Sequence, residues 1–117
     1  MSIKQQKRIR RHKKIRARIH GTQTRPRLCV FRSNQHIYAQ LIDDDKAKVL
    51  LSVSDKATKG PKGKISKNDI AEEVGKEIAK KALDKKIEKV IFDRSGFVFH
   101  GRIKSLADGA RKGGLKF

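Results

Sequence analysis

The sequence predicts an α/β protein: a compact body of two or three layers, built on a small mixed four-stranded sheet in βββαβα order, behind a basic N-terminal arm. Three observations predict it. Three short apolar runs separated by turn residues lie between residues 28 and 54, and two segments with apolar residues at helical spacing follow, at 70–83 and 102–112. A further apolar run, Lys89 to Asp93, falls between those two helical segments. Strands joined by short turns pair antiparallel, whereas a strand reached through a helix lies parallel to its neighbour. Helices with one apolar stripe then have to cover the sheet.

At 117 residues the chain has the length of one domain with a single modest core. Thirty-one Lys and Arg against twelve Asp and Glu give a net charge of +19, more than solubility requires, and imply a polyanionic partner. The charge is uneven, because residues 1 to 27 hold eleven basic residues and no acidic one. No segment approaches the roughly 20 apolar residues that cross a bilayer, and the basic N-terminus lacks the apolar run of a secretory signal. Cys29 is the only cysteine, so no intramolecular disulfide forms, and an apolar strand around it favours a buried thiol over a nucleophile.

Residues 1–26 read as an arm. Apart from the N-terminal methionine, the first twenty contain almost nothing apolar except Ile3, Ile9, Ile15, Ala17 and Ile19. Self-repulsion should keep this segment extended or frayed in isolation, and phosphates should let a helix form around Lys7 to Ile19. An organellar presequence is also basic and poor in acids, but it is usually serine-rich and amphipathic. Thr24-Arg25-Pro26 ends the arm, since the residue before proline leaves the helical region.

The globular body, 27–117, follows. Leu28 to Arg32 is a strand, Ser33-Asn34-Gln35 a turn, His36 to Ile42 a second strand, Asp43 to Lys46 a turn, and Ala47 to Ser54 a third strand. Asp55 to Lys67, with Gly60, Pro61 and Gly63, is a polar loop. Asn68 or Asp69 caps the next helix, whose apolar stripe is Ile70, Val74, Ile78 and Ala82 with Ala71, Ala79 and Leu83. The second helix, Arg102 to Lys112, turns Ile103, Leu106, Ala107 and Ala110 inward and stops at Gly113-Gly114, after which Leu115 and Phe117 fold back.

Enzyme chemistry finds little support. The four histidines, His12, His20, His36 and His100, are scattered and lack the ordered spacing of a metal site. Ser95, His100 and Asp93 crowd into one turn, which rarely places a nucleophilic triad, and Gly60-Pro61-Lys62-Gly63 lacks the spacing of a phosphate loop. No catalytic residue, metal, cofactor, small-molecule substrate or membrane partner is expected.

RNA binding fits better, because irregular RNA is read by aromatic stacking and by arginine and amide hydrogen bonds. In the arm the candidates are Lys7, Arg8, Arg10, Arg11, Lys13, Lys14, Arg16, Arg18, Arg25 and Arg27. In the body they fall at two turns: Arg32, Ser33, Asn34, Gln35, His36 and Tyr38, then Arg94, Ser95, Phe97, His100, Arg102 and Lys104. Phe97 and Phe99 can either meet RNA or fill the core, and Asp93 reads as structural. The arm would supply salt-sensitive affinity and the body would select RNA shape.

The blocks RPRLCVFRSNQHIYAQLIDD and VIFDRSGFVFHGRIKSLADGARKGGLKF, with an acid-capped helix between them, closely resemble the bacterial large-subunit ribosomal protein L-eighteen family. The resemblance spans nearly the whole chain. It implies a compact α/β body and a flexible basic arm, a place in the large ribosomal subunit, cytoplasmic or organellar, and attachment of 5S rRNA to 23S rRNA beside neighbouring proteins of the central protuberance. Ser95 stands where that family usually has glycine, Phe97 and Phe99 where it has tyrosine, and Gly109 where it has alanine. A mid-helix glycine costs about 1 kcal/mol relative to alanine. A general basic architectural protein that binds any nucleic acid is the alternative, and duplex DNA binding would reveal it.

Overall fold

A computed structural model describes residues 2–55 and 66–117 of the chain. The elements are helix α1 (Ile3–Arg16), strands β1 (Arg27–Arg32), β2 (Ile37–Asp43) and β3 (Lys48–Ser54), helix α2 (Lys67–Asp84), strand β4 (Ile91–Asp93) and helix α3 (Arg102–Lys112). After the arm helix this is the expected βββαβα order. The loop read at 55–67 lies, for residues 56–65, outside the described residues.

The sheet order is β3-β2-β1-β4. The first three strands form the antiparallel meander, with Leu28 opposite Leu41 and Val30 opposite Ala39, and β4 runs parallel to β1 with Asp93 beside Cys29. A register shift at Leu41/Ile42 skips Leu50, so that Leu50 and Leu51 are both half-buried on a strand that alternation alone would turn in and out.

One face of the sheet carries the core. Leu28, Val30, Ile37, Ala39, Leu41 and Val53 pack against Ala71, Val74, Ile78 and Ala82 of α2 and Ile103, Leu106 and Ala110 of α3. Leu115 folds back into this core, and Phe117 stacks on Phe92 with ring centroids 5.4 Å apart. The stripe on α2 is the one read from spacing, except that Ile70 is only half-buried at its start and Leu83 stays exposed at its edge. The cap also differs. Ser66 rather than Asn68 or Asp69 caps α2, its hydroxyl accepting from the Asp69 amide, because a serine one residue before the helix reaches the N3 donor without entering the helix itself.

The two body helices touch through glycine. A Cβ on Gly109 would lie 2.1 Å from the Glu72 carbonyl oxygen, and one on Gly75 would lie 2.1 Å from the Leu106 carbonyl oxygen. Gly109 meets Glu72 and Gly113 meets Ala79, so paired positions rise together and α2 and α3 run roughly parallel, with their N-termini at one end of the body. Gly109 is therefore a contact point between backbones. The propensity it forfeits is about 1 kcal/mol, whereas a methyl forced between backbones cannot be absorbed by a side-chain rotation. Gly109→Ala should lower stability by about 2–3 kcal/mol despite the better helix former, from the cost of overpacking a close contact. Denaturant titration checks this, and an unchanged or raised midpoint would refute the close-contact account.

Candidate RNA interface

The arm is a helix, and it is seated. It covers Ile3–Arg16 rather than the Lys7 to Ile19 expected from composition, because Ser2 and Gln5 form a reciprocal capping box that starts it early. It lies against the 93–97 turn and Phe31, a β1 residue that points away from the core side taken by Leu28 and Val30. Arg8 donates from Nη1 to the Ser95 carbonyl at 3.0 Å, and Arg11 donates from Nε to the Gly96 carbonyl at 2.8 Å. His12 Nε2 lies 3.2 Å from Asp93 Oδ2, and Arg16 reaches Asp44 at 3.3 Å. At Gly96, φ is +78° and a Cβ would lie 2.3 Å from the Arg8 carbonyl oxygen, so the arm backbone rests on a turn that only glycine leaves open.

Beneath this seat is a network centred on Arg27. Its Nε and Nη2 grip the two oxygens of Asp44 at 3.0 and 3.1 Å, and its Nη1 donates to Asp93 Oδ2 at 2.7 Å. Asp93 is fully buried and also accepts from the Ser95 amide at 2.8 Å; Asp44 accepts from the Gly21 amide at 2.7 Å. Hydrogen bonding from Arg27 holds the Asp44 carboxyl at about 2, below the usual carboxylate range. Arg27 thus joins the linker, β1 and the end of β4.

Two of the residues expected to meet RNA are buried in the chain. Arg27 is 7% exposed and occupied by two carboxylates, so its place is in the fold. Ser95 is 2% exposed, with its Oγ 3.1 Å from Cys29 Sγ, and its φ of +54° explains why glycine suits that position. Cys29 itself is half-buried, and desolvation raises its thiol.

Eight of the other candidates converge. The 31–38 turn, the 94–100 turn and the arm line one open groove, whose walls include Lys7, Arg8, Arg11, Arg32, Ser33, Asn34, Phe97 and His100. Arg102 donates from Nη2 to the Ser33 carbonyl at 2.9 Å and so ties α3 to the first turn; burial and the neighbouring Arg32 lower its guanidinium. Arg94 closes its own turn by donating to the Phe97 carbonyl at 2.7 Å. His36 pairs with Asp55, Tyr38 is half-buried between His36 and Phe31, and Lys104 pairs with Asp108 at 2.8 Å. Gln35, Arg10, Lys13, Lys14, Arg18 and Arg25 are exposed.

Phe97 is not a free stacking platform. The Arg8 guanidinium lies 4.8 Å and that of Arg32 5.0 Å from its ring centroid, and Phe31 meets it edge-on at 5.7 Å. The more exposed ring in the groove is Phe31, at 45%, although the Arg8 guanidinium also lies 5.6 Å from its centroid; Val98 beside it is 67% exposed. Sequence reading passed over Phe31 as a strand residue; its alternation with Val30, which faces the core, was the available signal. Phe99 is also exposed and packs edge-on against Phe92.

Among the described residues no cluster of His, Cys, Asp and Glu could hold a metal ion, and no helix is long and apolar enough to cross a membrane. Residues 2–117 match the family model described as ribosomal L18 of archaea, bacteria, mitochondria and chloroplasts. The chain belongs to the ribosomal L18 family. It is 52% identical over 116 residues to the large ribosomal subunit protein uL18 of Thermotoga petrophila, covering 97% of this chain and 95% of that one. The uL18 proteins of Clostridium botulinum strain 657 / Type Ba4 and Pseudothermotoga lettingae are each 55% identical, over 112 and 113 residues, covering 96% and 95% of this chain and 93% of each of theirs. In this family member the conspicuous arginine at 27 is architectural.

Two outcomes follow from the Arg27 network. Arg27→Met leaves two carboxylates without their shared cation and should cost about 3–5 kcal/mol, as broken buried pairs do, in a denaturation experiment at neutral pH; a cost near that of a surface substitution would contradict the network. Because the Asp44 carboxyl is lowered in the folded chain, its stabilisation is full above the ordinary carboxylate range and drains away as pH falls from about 4 towards about 2. Asp44→Asn should remove that part of the acid dependence, as measured by thermal melts across the same interval.

Proposed function

We propose that the protein is a structural constituent of the large ribosomal subunit that binds 5S rRNA and helps attach it to 23S rRNA in the central protuberance. Family membership supports the coarser part: a ribosomal protein working in the cytoplasm among rRNA and other ribosomal proteins. One observation carries the finer part. The arm helix and both basic turns meet around a single groove with a partly exposed phenylalanine in its wall.

Such a groove suits irregular RNA better than a uniform duplex. Its cations sit at fixed angles, Arg32 held over Phe97 and Arg102 tied to Ser33, so it can match one arrangement of phosphates and bases. A tail of loose cations would bind any polyanion equally. The seated helix adds the exposed cations Lys7, Arg10 and Lys14, which raise affinity by releasing counterions.

The test is a competition at near-physiological salt, with labelled 5S rRNA challenged by transfer RNA and by duplex DNA. The proposed function requires 5S rRNA to be preferred by at least about tenfold over both, a gap of roughly 1.4 kcal/mol. Equal displacement by duplex DNA would make the protein a general basic architectural factor.

A further inference from the structure

The ten arm cations are not equivalent, and the geometry points to two faces with different tasks. We propose that only the outer face of the arm helix, Lys7, Arg10 and Lys14 with Arg18 just beyond it, takes RNA phosphates, while Arg8, Arg11, His12 and Arg16 are positioning residues that hold the helix on the body. The proposal rests on the RNA reading above and divides its arm between two roles.

Helical geometry separates the sets. At about 100° per residue, Lys7, Arg10, Lys14 and Arg18 fall within an arc of roughly 80°, whereas Arg8, Arg11, His12 and Arg16 spread over the adjoining arc of roughly 140°, with Arg11 at the border. Ile15 and Ile19, both half-buried, share that second side. The inner set is what one would expect of an apolar stripe, except that its contacts are polar.

Each inner side chain already has a partner. Arg8 has the Ser95 carbonyl together with the Phe97 and Phe31 rings, and Arg11 has the Gly96 carbonyl. His12 has Asp93, and Arg16 has Asp44 and the Ile19 carbonyl. Two of these partners, the Ser95 and Gly96 carbonyls, are backbone oxygens of a turn in the body, which a phosphate cannot replace without unseating the helix. The Gly96 cradle makes the same point independently, since the arm backbone occupies the space a side chain would fill.

The outer set is the reverse. Lys7, Arg10, Lys14 and Arg18 are exposed, and none of them has an ion pair among the described residues. Like charges three and four residues apart on a helix repel one another, and α1 has no acidic residue in its first turn to complement its N-terminus. A run of phosphates along one RNA backbone would relieve that repulsion. Charge on the outer face then sets how steeply binding falls with salt, and geometry on the inner face sets where the charge is delivered.

The experiment measures 5S rRNA affinity of the full chain over a series of salt concentrations. Replacing Lys7, Arg10, Lys14 and Arg18 together by Gln should lower the salt slope by about 3, at 0.7–0.9 for each phosphate that is no longer neutralised. The pair Arg8→Lys and Arg11→Lys keeps every charge but removes the planar guanidinium that stacks on Phe97 and aims at the carbonyls; it should weaken binding about tenfold or more with the slope unchanged. Circular dichroism and melting confirm that each variant is folded, and Gly96→Ala, which removes no charge, should behave like the inner pair. Full affinity in the Arg8→Lys, Arg11→Lys variant, or an unchanged slope in the outer variant, overturns the assignment. If 5S rRNA proves no better a ligand than transfer RNA, the proposed function fails, yet the same slopes measured on transfer RNA still decide between the two faces.

Discussion

Two carboxylates closed around one guanidinium hold this structure to its purpose. Arg27 places a positive charge at the base of β1, where Asp44 from the β2–β3 turn and Asp93 from the end of β4 close on it from two sides. Burial of such a set is tolerable only when every donor and acceptor is used. Here the remaining acceptor capacity is filled by the Gly21 and Ser95 amides, by Arg16 and by His12, and no buried side-chain polar atom of the described residues lacks a partner. The arm, the linker and the 94–96 turn are thereby referred to one point.

That arrangement explains how so basic a chain can present an ordered face. With +19 charges, a helix of cations beside a basic body should be driven away. Asp44 and Asp93 offset that repulsion locally, and the carbonyls of Ser95 and Gly96 accept the arginines that lack a carboxylate. The helix dips towards these oxygens because Gly96 has no side chain to prevent it. What remains outside is a ridge of exposed cations beside a groove, fixed relative to Phe31 and Arg32. Positioned charge of this kind carries shape information that a loose tail does not.

Much of the body was legible in the sequence because its signals are local. The turn residues Ser33-Asn34-Gln35, the alternation in His36 to Ile42 and the stripe from Ile70 to Ala82 each report on their own neighbourhood, and α3 begins and ends where its glycines stand. The family resemblance was equally legible in the two quoted blocks. What escaped depends on contacts distant in sequence. Arg27 looks like another arm cation until Asp44 and Asp93, 17 and 66 residues away, are brought to it. Gly109 reads as a defect until Glu72 lies against it, and Phe97 reads as a stacking platform until two guanidiniums cover it. The arm gave the least local signal, since its packing face is built from arginine and histidine.

The central claim is that the arm and the 94–96 turn share a single anchor in Asp93. Amide hydrogen exchange of the free protein, comparing the wild type with Asp93→Asn, tests it most directly. The isosteric change removes the charge that holds His12 and Arg27 while leaving the core untouched. Protection should fall together across residues 3–16 and 94–97 and persist in α2 and α3. Unaltered protection in the arm, with loss confined to the turn, would contradict the account.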